Sequence, residues 1–133
     1  MERLRIRTGI DLVYVPRLAA LLENASFLQR AFQPSELRDM RPEHLAGVFA
    51  AKEACFKALG RAPCWLATAV DTQRGQAEAE GKPRLSLSPE IAPPGLLSLD
   101  LSISHEGDYA VAVVVMLTRE DGSSGEDDQR DRS

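Results

Sequence analysis

The chain has 133 residues, 44% of them hydrophobic, and a formal net charge of −4. That length favours one domain with a core of ordinary size. Residues 119–133 hold six acids and three arginines, so the remainder is close to neutral, which excludes a general nucleic-acid binder and confines any basic patch to a local site. No apolar run approaches the roughly 20 residues that span a bilayer, and the charged, then strand-like N-terminus does not read as a signal peptide, so a cytoplasmic protein without membrane contact is expected. Cys55 and Cys64 lack the CxxC or Cys/His spacing of a zinc site and offer no disulfide framework.

Residues 4–13 alternate. Leu4, Ile6, Ile10 and Leu12 fall on one face, and Arg3, Arg5, Arg7, Gly9 and Asp11 on the other. This predicts a half-buried strand with the aliphatic face inward and Asp11 near its end, opposite the core. Pro16 suits the first turn of a helix carrying Leu18, Leu21 and Leu22 that ends around Asn24. Ser26 is placed to cap a further turn with Phe27 and Leu28, and Pro34-Ser35-Glu36 opens another short helical piece. Pro42 opens a long helix running to Leu59, with Gly60 as its stop. Trp65 to Val70 reads as a strand, Gln73 to Gly81 as a loop, and residues 84–88 as a short strand.

After the break at Pro93-Pro94-Gly95 comes a hairpin. Leu97, Leu99, Leu101 and Ile103 alternate with Ser98, Asp100, Ser102 and Ser104, a turn spans His105-Glu106-Gly107-Asp108, and Tyr109 to Leu117 returns. The returning strand is apolar on both faces, so it belongs at the centre of a sheet or needs cover on each side. One chain of this length has little material for that; self-association would supply it. The fold class is α+β: a small antiparallel sheet packed with one long and several short helices over residues 1–118, followed by a disordered acidic tail at 119–133.

Four polar groups sit where the apolar pattern does not require them: Asp11, Glu53, Lys57 and His105. Glu53 and Lys57 lie four residues apart on one helix face, beside Phe49 and Phe56. Alone, that spacing is also what an ordinary surface ion pair looks like, Asp11 is also what caps a turn before Pro16, and His105 is also a turn residue. Together, Asp11 and Glu53 offer carboxylates for a hard cation such as magnesium, which is usually held by one or two carboxylates plus substrate phosphates, and Lys57 would face the same phosphates. GxSxG, GxxxxGK[ST] and GxGxxG are all missing.

Four segments in this order, TGIDLVYVPRL, LAGVFAAKEACFKALG, GKPRLSL and LSISHEGDYAVAVVV, resemble the holo-acyl-carrier-protein synthases, the short single-domain type of 4′-phosphopantetheinyl transferase, across residues 5–117. The resemblance implies transfer of 4′-phosphopantetheine from coenzyme A to a serine of an acyl carrier protein, of fatty-acid, polyketide or peptide synthesis, with release of adenosine 3′,5′-bisphosphate. It implies that Asp11 and Glu53 bind Mg2+ and that Lys57 contacts the coenzyme A phosphates, these three forming the catalytic set, with Glu53 a candidate base, directly or through a metal-bound water. It implies further coenzyme A contacts at Gly60, Lys82 and Pro83 of the Gly81-Lys82-Pro83 loop, Ser104 and His105. Arg17 would face the carrier, and the assembly would be a homotrimer with coenzyme A between neighbouring subunits.

The pattern departs from that family at Val48, where the family carries arginine, at Phe56, at Gly60-Arg61-Ala62 and at Glu106. Arg61 is the candidate to replace the charge missing at Val48. Two other readings stay open: a carrier-binding module of the same fold without catalysis, and a metal-dependent nucleotide phosphohydrolase using the same carboxylates.

Overall fold

A computed structural model describes residues 2–72 and 82–121. The loop expected at Gln73 to Gly81 and the tail beyond Asp121 lie outside the described residues. Strand β1 (Glu2–Tyr14) pairs antiparallel along its whole length with β5 (Tyr109–Asp121), from Glu2 opposite Asp121 to Tyr14 opposite Tyr109. Strand β4 (Leu96–Glu106) pairs with the other edge of β5, so the order is β1-β5-β4. The doubly apolar strand is therefore central, as its composition requires. It runs past the expected domain end at 118 as far as Asp121. Strands β2 (Thr68–Asp71) and β3 (Arg84–Leu87) form a separate two-stranded sheet.

Among the described residues, three helices complete the α+β architecture: α1 (Val15–Leu21), α2 (Ala25–Ala31) and α3 (Pro42–Leu59). Helix α3 has the predicted ends. Pro42 occupies its first turn, and Gly60, at φ 70°, closes it with its N–H donating to the Phe56 and Lys57 carbonyls. Asn24, rather than Ser26, caps α2 by accepting from the Phe27 N–H at 3.1 Å. Glu36–Arg38 is a single 3₁₀ turn. Residues 65–70 are not one strand: Trp65–Ala67 is a 3₁₀ turn, pinned by the Thr68 hydroxyl donating to the Trp65 carbonyl, and β2 starts only at Thr68. No helix among the described residues is long and apolar enough to cross a membrane.

Helix α3 lies across one face of the three-stranded sheet. Its alanines at 46, 50, 51 and 54 are fully buried, as are Ala110, Ala112, Val114 and Met116 on β5. Small residues let helix and sheet approach closely, and Gly9 takes this to its limit. A Cβ at Gly9 would stand 1.9 Å from the Ala54 carbonyl oxygen and 2.8 Å from the Ala58 nitrogen. Val48 and Phe56, two of the departures from the family pattern, are core residues. Cys55 is buried, and desolvation pushes its thiol up to about 12, whereas Cys64 is exposed; both are free.

The orientation of β1 corrects the sequence reading. Its aliphatic face is open: Leu4, Ile6, Ile10 and Leu12 are 64%, 67%, 59% and 63% exposed. The face carrying Gly9, Asp11 and Val13 meets α3, so Asp11 lies on the core side rather than opposite it. The physical reason is the glycine. Only a face with no side chain at its centre can take the helix backbone at this distance, and the aliphatic face offers no such gap. Val113 and Val115 of β5 extend the open face to 37% and 40% exposure.

Gly9→Ala is expected to force β1 away from α3 and to lower the free energy of unfolding by about 1–3 kcal/mol, the usual range for overpacking. Urea denaturation checks this, and a variant as stable as the parent would contradict the packing described.

Candidate active site

Because β1 turns its Gly9 face to α3, Asp11 comes to rest beside the last turns of that helix. Lys57 Nζ donates to Asp11 Oδ1 at 3.0 Å and to the Ile10 carbonyl at 3.0 Å. The Asp11 side chain is only 15% exposed, whereas that of Lys57 is 56% exposed. An ammonium carries three donors, so one remains for an incoming anion. Glu53 sits one turn earlier and does not pair with Lys57. Its Oε2 accepts from the Trp65 indole Nε1–H at 2.6 Å. The ion pair suggested by the spacing is thus replaced by two separate engagements, Lys57 with Asp11 and Glu53 with Trp65.

Behind Glu53 lies a buried ion pair that the sequence did not announce. Lys52 Nζ stands 2.7 Å from Glu36 Oε1, and both side chains are fully buried. Glu36 also accepts from the Gln33 and Val70 backbone N–H groups, each at 2.7 Å. Lys52 donates to the Ala31 carbonyl at 2.9 Å and the Trp65 carbonyl at 3.2 Å. Desolvation holds the Lys52 pKa below that of an ordinary lysine, against the opposing hydrogen bond to Glu36.

A second group of residues gathers on the other flank of α3. Gly47 leaves room for β4: a Cβ there would lie 3.0 Å from Ile103 Cγ2 and 3.2 Å from His105 Nε2. His105 Nε2 is 2.9 Å from the Glu43 carbonyl. His105 and Glu106 belong to the β4 ladder, opposite Ala110 and Tyr109, so the turn itself is only Gly107-Asp108. Strand alternation puts Ser104 and Glu106 on the face opposite His105. His105 lines a cleft of about 320 Å³ with Arg41, His44, Gly47, Pro83 and Ile103. Arg41 Nε and Nη2 hold the Asp39 carboxylate at 2.9 and 2.6 Å. That hydrogen bonding keeps Asp39 well below the usual carboxylate range and raises Arg41.

The remaining expected contacts are more scattered. Lys82 is tied to β4, with Nζ 3.1 Å from Asp100 Oδ1 and 3.3 Å from the Leu101 carbonyl. Gly60 caps α3 with open space around it, and Arg61 follows it, exposed and not among the residues lining the cleft. Gly81 lies outside the described residues. Arg17 stacks its guanidinium 5.7 Å from the Tyr14 ring centre and borders a groove of about 160 Å³ with Asp11, Leu18, Leu21 and Phe49. Among the described residues, no three or more His, Cys, Asp or Glu side chains converge as a metal cage.

A family model described as the 4′-phosphopantetheinyl transferase superfamily matches residues 7–114. The chain belongs to this superfamily. Among curated transferase relatives, the holo-[acyl-carrier-protein] synthase of Trichlorobacter lovleyi is 38% identical over 123 residues, covering 81% of this chain and 94% of the relative. The Helicobacter pylori holo-[acyl-carrier-protein] synthase, solved in complex with coenzyme A, superposes with a TM-score of 0.69 at 32% identity, covering 82% of this chain and 98% of its own. The Chronobacterium ammoniagenes synthase–coenzyme A complex gives 0.72 at 34% identity over 88% and 99%. The transferase fold is thus shared along nearly the full length of these relatives.

Three residues gathered around the candidate site carry little signal in the sequence. Arg41 and His44 look like solvated residues at a helix start; the Asp39-x-Arg41 spacing was the available signal for a held guanidinium. Trp65 read as strand packing, although a single tryptophan just beyond the helix end also carries an N–H that seeks an acceptor.

Lys52→Met leaves Glu36 buried without its cation and is expected to cost about 3–5 kcal/mol of stability. Guanidinium unfolding measures it, and a loss below about 1 kcal/mol, the range of an exposed pair, would mean that the pair is not desolvated in solution.

Proposed function

We propose that this protein is a holo-acyl-carrier-protein synthase. It moves the 4′-phosphopantetheine of coenzyme A onto a serine hydroxyl of an acyl carrier protein and releases adenosine 3′,5′-bisphosphate. The observation that carries the reading is the sheltered Asp11 held by Lys57, one helical turn from Glu53, at the edge of the groove that Arg17 borders. The serine oxygen attacks the phosphorus attached to the pantetheine arm, and the bond to the departing bisphosphate breaks. Such a transfer asks chiefly for positioning and charge stabilisation. Lys57 supplies a cation with a spare donor for the pyrophosphate. Glu53 is the proposed acceptor of the serine proton, and Arg17 the proposed positive contact for an acidic carrier surface.

Asp11 and Glu53 fit magnesium by donor chemistry, being hard oxygen ligands next to a phosphate-seeking lysine, and would hold it there. When bound, the ion would neutralise charge growing on the leaving bisphosphate.

The site is proposed to be completed between copies of the chain. Helix α3 crosses the sheet so that its Gly47 end lies over β4 and its Ala54–Ala58 end over β1. The helix therefore stands between Asp11 and Lys57 on one flank and Arg41, His44 and His105 on the other. From Gly47 to Lys57 is ten residues, about 15 Å of helix. A coenzyme A meeting both flanks of one copy would have to pass around the helix. The open aliphatic face of β1 and β5 is far too apolar to be left in water and fits association into a homotrimer, which would bring one copy's His105 flank to its neighbour's Asp11 flank.

Incubation with apo-carrier, coenzyme A and magnesium is expected to add one phosphopantetheine mass to a carrier serine. Asp11→Ala and Glu53→Gln should each slow that loading by roughly 100-fold or more, with melting temperature unchanged; loading at the parental rate in either would remove that residue from the site. Ile10→Glu, on the open sheet face, is expected to yield monomers in sedimentation velocity, and an unchanged oligomer would place the interface elsewhere.

A further inference from the structure

We propose that Trp65 is a positioning residue for Glu53, its indole N–H engaging Oε2 so that Oε1 is the oxygen presented to the reaction. The inference rests on the role given to Glu53 above and extends it to a residue outside the reacting set. A hydrogen bond to a charged acceptor is among the stronger kinds, and this one is short, at 2.6 Å. A glutamate on the outer side of a helix otherwise samples several rotamers. Fixed by a donor that cannot move, it keeps one.

The indole is such a donor. Its ring packs against Phe49 with centroids 5.4 Å apart and against Phe27 at 6.4 Å. Its backbone carbonyl accepts from the Thr68 hydroxyl at 2.7 Å and from the buried Lys52 ammonium at 3.2 Å. Lys52 and Glu53 are consecutive on α3, so neighbouring residues grip Trp65 from two sides, Lys52 through its carbonyl and Glu53 through its indole. Glu36 anchors Lys52 in turn. The carboxylate thus connects to the core through one continuous set of bonds: Glu36, Lys52, Trp65, Glu53. A tryptophan serving only the core would be matched by phenylalanine, because the ring makes the packing contacts. Its N–H is instead committed to the carboxylate of the candidate site.

The chain has a single tryptophan, so a ¹⁵N-labelled sample gives one indole N–H signal. That signal is expected to move when Mg2+ and coenzyme A are added together, and to move in the unliganded protein on Glu53→Gln. A signal indifferent to both would overturn the proposal, and this test needs no change in the aromatic cluster. Trp65→Phe keeps the ring and deletes the donor. It is expected to raise the Mg2+ concentration for half-maximal loading, and for half-maximal coenzyme A binding by calorimetry, about 10-fold, as loss of an outer-shell partner does. A purely structural role would lower the melting temperature and leave the Mg2+ dependence where it was, which would also overturn the proposal. Glu53→Gln in the same assay separates the two failures. If it loads carrier normally, the role of Glu53 fails and the inference with it; if it is inactive while Trp65→Phe keeps the parental Mg2+ dependence, only the positioning role fails.

Discussion

The contact between Gly9 and the backbone of α3 is the constraint on which the other main features of the molecule depend. With 1.9 Å between a notional Cβ and the Ala54 carbonyl, no other residue type fits unless strand and helix separate. That one contact fixes which face of β1 turns inward. It brings Asp11 down beside Lys57, and it turns Leu4, Ile6, Ile10 and Leu12 out to solvent. The polar centre and the apolar surface are therefore two results of one constraint. A strand flipped to bury its aliphatic residues would carry Asp11 away from the helix.

The long helix organises the site from both flanks. Its small residues let it lie close to the sheet, and its larger polar ones divide by side. Lys52 turns inward to a fully buried partner, while Glu53 and Lys57 turn toward β1 and the Trp65 segment. A buried ion pair is costly to desolvate and gives little net stability. Here it also locates the Trp65 carbonyl, and through that residue the Glu53 carboxylate. The cleft on the opposite flank has a guanidinium already held by Asp39 and a histidine held by the first turn of α3, groups suited to an anion. Neither flank alone carries everything that a bound coenzyme A would need under the proposed reading.

The extent to which these features could be read from the sequence depends on how local their causes are. Pro42 and Gly60 are local signals, and α3 begins and ends at them. The hairpin and the central place of β5 came from alternation and from its unbroken apolar run. The facing of β1 was not local. Alternation defines two faces but does not say which one a helix covers, and the usual preference for aliphatic residues inside gave the wrong answer, because this sheet has a second apolar face left open in the single chain. Gly107 and Asp108 are turn formers and draw His105 into a predicted turn, yet the ladder persists through Glu106. The pairing of Glu53 failed for a similar reason. A four-residue spacing permits an ion pair with Lys57, but Trp65 and Asp11, distant in sequence from those partners, compete better in space. Arg41 carried no signal apart from the nearby Asp39. Asp11, Glu53, Lys57 and His105 stand out as polar groups the apolar pattern does not require, and their segments resemble the transferase superfamily, whose family and fold the comparisons bear out.

If α3 splits the site into halves joined between copies, the division of labour is directly measurable. Asp11→Ala and His105→Ala chains, each inactive in carrier loading, would be co-expressed with different tags and purified as mixed assemblies. Such an assembly contains a junction where an intact Asp11 flank meets an intact His105 flank. Recovery of loading to a substantial fraction of the parental rate is the expected result. Mixed assemblies as inactive as the separate variants would contradict a shared site and place both flanks in the service of a single chain.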